Sequence, residues 1–244
     1  FGISVLIGTI ISTLYCFKGG FKSIINTDKY QFYFMFLGFL LMVIYIIFFY
    51  DYGFEKLEKI YTNKPELFSM PGNEGWGYII AWGFLAMLTF IDPSFHQRTF
   101  SAKNKQEIKR GIRISIIFWF IFDLMTLFCG LYAINLSSDT PYVSLALNIF
   151  QNSPILYGIF IISIISILMS TIDSFTFISA IIIGKDSRKI FNREYNQNHI
   201  NWGIFLSIII SLIIISFFDN SRIINIFFTF GSYMVSGLLI PFIF

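Results

Sequence analysis

"PILYGIFIISIISILMSTIDSFTFISAIIIG", Pro154 to Gly184, carries one charged side chain, Asp173, in an otherwise apolar run. At about 1.5 Å per residue a helix of this length exceeds the ~30 Å core of a bilayer. Ser163, Ser166, Ser170, Asp173 and Ser174 follow spacings of three and four, which stacks them on one helical face. Ile, Leu and Phe occupy the other face. An ionised group at the bilayer centre costs at least about 2.5–3.5 kcal/mol. Asp173 and its hydroxyl neighbours therefore must face protein or water. They offer hard oxygen atoms, the ligand type a small, hard cation such as Na⁺ prefers. The competing reading is that each hydroxyl bonds back to its own helix or to a neighbour, as is common in membrane helices.

The rest of the chain agrees with a membrane setting. Of 244 residues, 56% are hydrophobic, 20% aromatic and 13% charged. A soluble domain carries about 25% charged residues, and a mean hydropathy of +0.72 is too apolar for one. The fold class is therefore all-α, a polytopic membrane bundle. Cys16 and Cys129 both lie in apolar helical stretches and read as packing residues. No zinc spacing, phosphate loop, dinucleotide fingerprint or nucleophile elbow occurs, so an enzyme, an organic cofactor and a nucleic-acid partner have no motif behind them. The chain starts at Phe1 inside an apolar run and stops at Phe244 after "GSYMVSGLLIPFIF". It reads as an internal piece of a longer protein, a single transmembrane domain over 1–244.

Seven stretches are candidate spans: 1–17, 30–50, 75–97, 112–136, 154–184, 202–218 and 223–244. The connections 18–29, 98–113 and 185–201 hold 13 of the 17 Lys and Arg residues, and Lys56, Lys59, Lys64 and Arg222 are the remainder. The positive-inside rule places the first set in the cytoplasm, and Tyr30, Tyr50, Trp76 and Trp202 suit the interfacial belt. The expected location is the cell membrane. The bias towards Ile, Phe, Lys and Asn hints at a low-GC bacterium.

Two further acids fall within spans. Asp92 precedes Pro93, a pair that breaks a helix. Such a break at membrane depth lines a cavity in transporters; alternatively, Asp92 caps the following cytoplasmic helix. Asp123 sits mid-span in "FWFIFDLMTLF" and needs a partner on another helix.

Three stretches in register resemble the sodium:solute symporter family. "YCFKGGFKSIINTDKYQ", Tyr15 to Gln31, is similar to a family segment through Gly19, Gly20, Thr27, Asp28 and Gln31. "DPSFHQRTFSAKNKQEIKRG" is similar to a cytoplasmic stretch through Gln97, Arg98, Ala102 and Lys103. "LMSTIDS", from Leu168, resembles the family's Met-Ser-Ser/Thr-x-Asp-Ser element. The resemblance implies a LeuT-type inverted repeat, with this chain carrying the end of the fourth core helix, the fifth, and the sixth to tenth. It implies a sodium site made by the Ile167 carbonyl and the Ser170 and Thr171 hydroxyls, with further ligands on an earlier helix. In two-ion members, Asp28 and Ser174 would serve a second Na⁺, and Asp173 would tune or link the site. Leu88, Thr89 and Asp92 are the corresponding candidates for solute contact. "LAMLTFIDP" has Leu85, Met87 and Leu88 where sugar carriers have an aromatic gate and an amide, which argues against a sugar. The implied activity is symport of Na⁺ with a small organic solute. The rivals are a proton-coupled transporter of the same fold, a membrane sensory module, and a structural membrane protein. Gly19 and Gly20 are expected to form a tight turn.

Overall fold

A computed structural model of the chain describes residues 2–50, 53–134, 136, 140–217 and 223–243; for parts of the first helix and of the last two it describes the backbone alone. Arg222 and the connection 219–222 thus lie outside the described residues, as do 137–139. Every regular element among the described residues is helical: α1 (Gly2–Phe49), α2 (Phe54–Asn63), a 3-10 turn (Pro65–Phe68), α3 (Gly75–Ala86), α4 (Leu88–Ile91), α5 (Pro93–Phe100), α6 (Lys105–Ala133), α7 (Pro141–Ile149), α8 (Pro154–Ile181), a π-turn (Ile182–Asp186), α9 (Ser187–Ile190), α10 (Gln197–Phe217) and α11 (Ile223–Ile243).

Among the described residues four helices are long and apolar enough to cross a membrane: Gly19–Phe49, Lys105–Ala133, Pro154–Ile190 and Gln197–Ile214. Gly75–Ile91 with Pro93–Phe100, bent by 41°, makes a fifth if the pair is one broken span, and Asn225–Leu239 is a shorter apolar helix. The stretch 18–29, expected as a connection, is helical. Gly20, at φ 54° and ψ −148°, is the point where two helices join across a kink. Lys22, Asp28 and Lys29 lower the hydropathy there, but charge opposes entry into lipid, not helix formation; Lys is a good helix former. The turn expected at Gly19–Gly20 is thus a kink at Gly20, in the left-handed region that favours glycine.

The chain divides into two compact units, Phe1–Leu67 with Asn104–Ser174, and Phe68–Lys103 with Phe175–Phe244. In the first, α6 starts where Asn104 Oδ1 accepts the Glu107 amide at 2.9 Å, a side-chain cap that satisfies one orphan donor of the first turn. Helices α1, α2 and α7 pack on α6. Phe39, Met42, Ile46, Met125, Cys129 and Leu145 lie in the core between them. The Phe39 ring sits among Phe122, Tyr142 and Phe160 at centroid distances of 5.1, 5.6 and 5.3 Å. Gly38 brings α1 against α8, because a Cβ there would collide with the Ser163 side chain. Small residues at such crossings let backbones approach, the usual device for joining helices in lipid. The other side of α6 is open: Ile116 is 61%, Phe120 64% and Leu127 62% exposed. Water would penalise that surface at about 25 cal/mol per Å²; acyl chains do not.

In the second unit, α11 packs on α3 and α4. A Cβ on Gly231 would meet the Leu85 and Leu88 methyl groups, and the Trp82 and Phe228 rings lie 5.6 Å apart. The π-turn packs on α10.

Candidate functional site

Helix α8 buries the face that its spacing predicts. Ser163, Ser166 and Asp173 are buried, while Ile162, Ile165, Leu168 and Phe175 are exposed. Two of the hydroxyls close onto their own helix: Ser163 Oγ donates to the Phe160 carbonyl at 2.7 Å, and Ser166 Oγ to the Ile162 carbonyl at 2.8 Å. For these two, the back-bonding alternative describes the chemistry.

Ser170 differs. Its Oγ donates to Asp28 Oδ1 at 2.8 Å, across 142 residues of sequence, joining α8 to α1 through a hydroxyl and a carboxylate. Both ends sit on helices, so the pair is held by backbone rather than by loops. Ser174 Oγ donates to the Ser170 carbonyl at 2.9 Å, and Thr171 Oγ1 to the Ile167 carbonyl at 3.0 Å. Ser170, Ser174 and Asp28 thus form one connected group, and Thr171 with Ile167 lies beside it on the same helix. Ser170 is half-buried and Thr171 exposed. One turn beyond Asp28, Gln31 Oε1 is buried and accepts no hydrogen bond among the described residues. A buried acceptor without a donor costs about 1–3 kcal/mol, and a cation beside it would remove that cost. The donor set here is hydroxyl, carbonyl, amide and carboxylate oxygen. Oxygen donors of this kind fit a small, hard cation.

Asp92 breaks the helix and caps the next one. It leaves helical geometry at φ −70° and ψ 117°. Its Oδ1 accepts the Ser94 amide at 2.7 Å. Pro93 has no amide, and Ser94 has turned its own to Asp92, so the last carbonyls of α4 lose their ladder partners. His96 supplies one replacement: its Nε2 lies 2.7 Å from the Phe90 carbonyl, which obliges that nitrogen to carry the proton. The break falls at Asp92, as the Asp-Pro pair predicts, and of the two roles the sequence left open for this carboxylate the geometry contains the cap on α5. Leu88 is partly buried towards Gly231 of α11, and Thr89 is exposed. Leu88 and Thr89 lie on α4, ahead of the break at Asp92. Asp123 is exposed, and its carboxylate has no partner among the described residues; Thr126 Oγ1 donates to its backbone carbonyl instead. Cys16 and Cys129 are buried free thiols.

The sequence reading missed Gly38, which seats α1 on α8, and His96, which spans the break. A glycine inside an apolar span was the available signal for the first. For the second, a histidine three residues after a mid-span proline was the cue.

The sequence profile of the sodium:solute symporter family matches residues 1–244. The chain belongs to the sodium:solute symporter family. With its long apolar helices, it is a multi-pass membrane protein. Among curated proteins, this symporter-family chain is 24% identical over 220 residues to human sodium-coupled monocarboxylate transporter 1. The match covers 79% of this chain and 35% of that transporter, so the chain spans about a third of the relative's length. No solved structure matches.

Proposed function

We propose that the protein couples Na⁺ entry to the uptake of a small organic solute across the cell membrane, and that Na⁺ binds along the α1–α8 seam. The observation that carries this reading is the 2.8 Å bond from Ser170 to Asp28. It joins a carboxylate on one helix to a hydroxyl on another, one helical turn in sequence from the buried acceptor of Gln31. Asp28, Ser170, Thr171 and the Ile167 carbonyl supply the oxygens, and Ser174 braces the Ser170 carbonyl. Asp173, buried one turn away, tunes the field of the site without ligating. An ion held between two helices favours the conformation in which they are joined. If that conformation also binds solute better, the sodium gradient drives uptake.

The solute class follows only from the relative. Its name states a monocarboxylate substrate, so small monocarboxylates are the first to test. The full-length protein in sealed vesicles should take up solute with an inward Na⁺ gradient and lose uptake when choline replaces Na⁺ at a clamped membrane potential. Uptake that persists without Na⁺ and follows an imposed proton gradient would refute sodium coupling and favour the proton-coupled reading.

A further inference from the structure

At the end of α8 the chain leaves α-geometry in the π-turn Ile182–Asp186, continues through α9, turns at Asn192 (φ 52°) and returns as α10. Two glycines set how closely the π-turn and α10 approach. A Cβ on Gly184 would collide with the His199 carbonyl, and one on Gly203 with the Ala180 carbonyl. Backbones in such contact leave the larger side chains around them no room to fill the crossing. A cavity of about 190 Å³ results, lined by Ile183 and Leu206 on its apolar side and by Arg188, His199 and Trp202.

The polar lining is prepared for an anion. Arg188 is partly buried, and its guanidinium makes no hydrogen bond or ion pair among the described residues. A guanidinium held at the cleft without a partner leaves its planar fork of donors open to an incoming anion. The Asn196 amide donates to His199 Nδ1 at 3.0 Å, so the neutral ring carries its proton on Nε2, a second donor. Lys185 and Lys189 stand over the Tyr195 ring at 5.3 and 5.9 Å, adding positive field nearby. Against Lys185, Arg188, Lys189 and Arg193 the segment sets only Asp186 and Glu194.

Size and location narrow the ligand. Solute and drug sites usually occupy about 300–1,000 Å³, so this cavity suits a group the size of a phosphate. Trp202, 63% exposed at the start of an apolar helix, marks the height of the membrane interface. In the topology that the charge pattern predicts, this end of α8 is cytoplasmic, where basic clefts between spans meet anionic headgroups. We propose that the cleft between the π-turn and α10 binds the phosphate of an anionic phospholipid. Arg188 provides the planar fork and His199 the additional donor. Sodium coupling could fail without touching this site.

The test uses the full-length protein in detergent, exposed separately to phosphatidylglycerol, phosphatidylcholine and inorganic phosphate. Retained lipid is counted by native mass spectrometry, and the apparent melting temperature is read in parallel. Phosphatidylglycerol should be retained and should raise the melting temperature; phosphatidylcholine should do neither. Arg188→Gln should cut retention about fivefold, the weight of one interfacial cation. Arg113→Gln, on exposed α6 surface, should leave it unchanged. Arg188→Lys, which keeps the charge and loses the fork, should fall between and guards against a misfolded glutamine variant. Equal retention of both lipids, or wild-type retention by the Gln or Lys variant, overturns the proposal. So does protection by millimolar phosphate without protection by lipid.

Discussion

Replacing Ser170 by alanine should raise the sodium concentration for half-maximal uptake by the full-length protein while leaving it folded. Alanine is the best helix former, and the Ser174 bond goes to the Ser170 backbone carbonyl, which survives the change. The perturbation is therefore confined to one hydroxyl and the carboxylate it orients at 2.8 Å. A hydrogen bond to a charged group contributes about 1.5–3 kcal/mol. If that energy serves to hold Asp28 in place for Na⁺, the half-maximal concentration rises roughly 10- to 100-fold, at about 1.4 kcal/mol per tenfold. Asp28→Asn should give a rise of at least that size. The double variant decides the matter. Because both changes remove the same contact, their combined effect should fall short of the product of the single effects, the shortfall corresponding to about 0.5–3 kcal/mol of coupling. Sodium-dependent uptake over a range of Na⁺, with solute saturating, measures all three. Independent multiplication of the two effects, or an unchanged sodium curve in Ser170→Ala protein that expresses normally, would refute the shared site.

Gly38→Ala should destabilise the α1–α8 crossing by about 1–3 kcal/mol, the usual cost of overpacking, because its Cβ meets the Ser163 side chain. A lower apparent melting temperature, restored when Ser163→Gly is added, is the expected result. Asp92→Ala should cost about 0.5–2 kcal/mol through loss of the cap on Ser94; Asp92→Asn, which keeps an acceptor oxygen, should recover most of it by the same measurement.

Local chemistry made a good part of this protein readable from its residues. A carboxylate and hydroxyls at spacings of three and four share a helical face because 3.6 residues make a turn, and lipid cannot accept that face, so its burial followed. Asp92-Pro93 broke the helix because proline has no amide and crowds the residue before it. Hydropathy was a poorer guide at 18–29, where it reported reluctance to enter lipid and missed the continuing helix that carries Asp28. What the linear pattern could not contain was pairing at a distance. Ser170 and Ser163 look alike on one stripe, yet one reaches across to Asp28 and the other bonds its own helix. The difference is set by which residue of α1 stands opposite, and Gly38 decides how near α1 can come. The cleft beside Arg188 likewise lies where Gly184 and Gly203 let backbone touch backbone. Periodicity along a helix is dictated by bond geometry within the chain, whereas contacts between helices depend on how two separate surfaces fit.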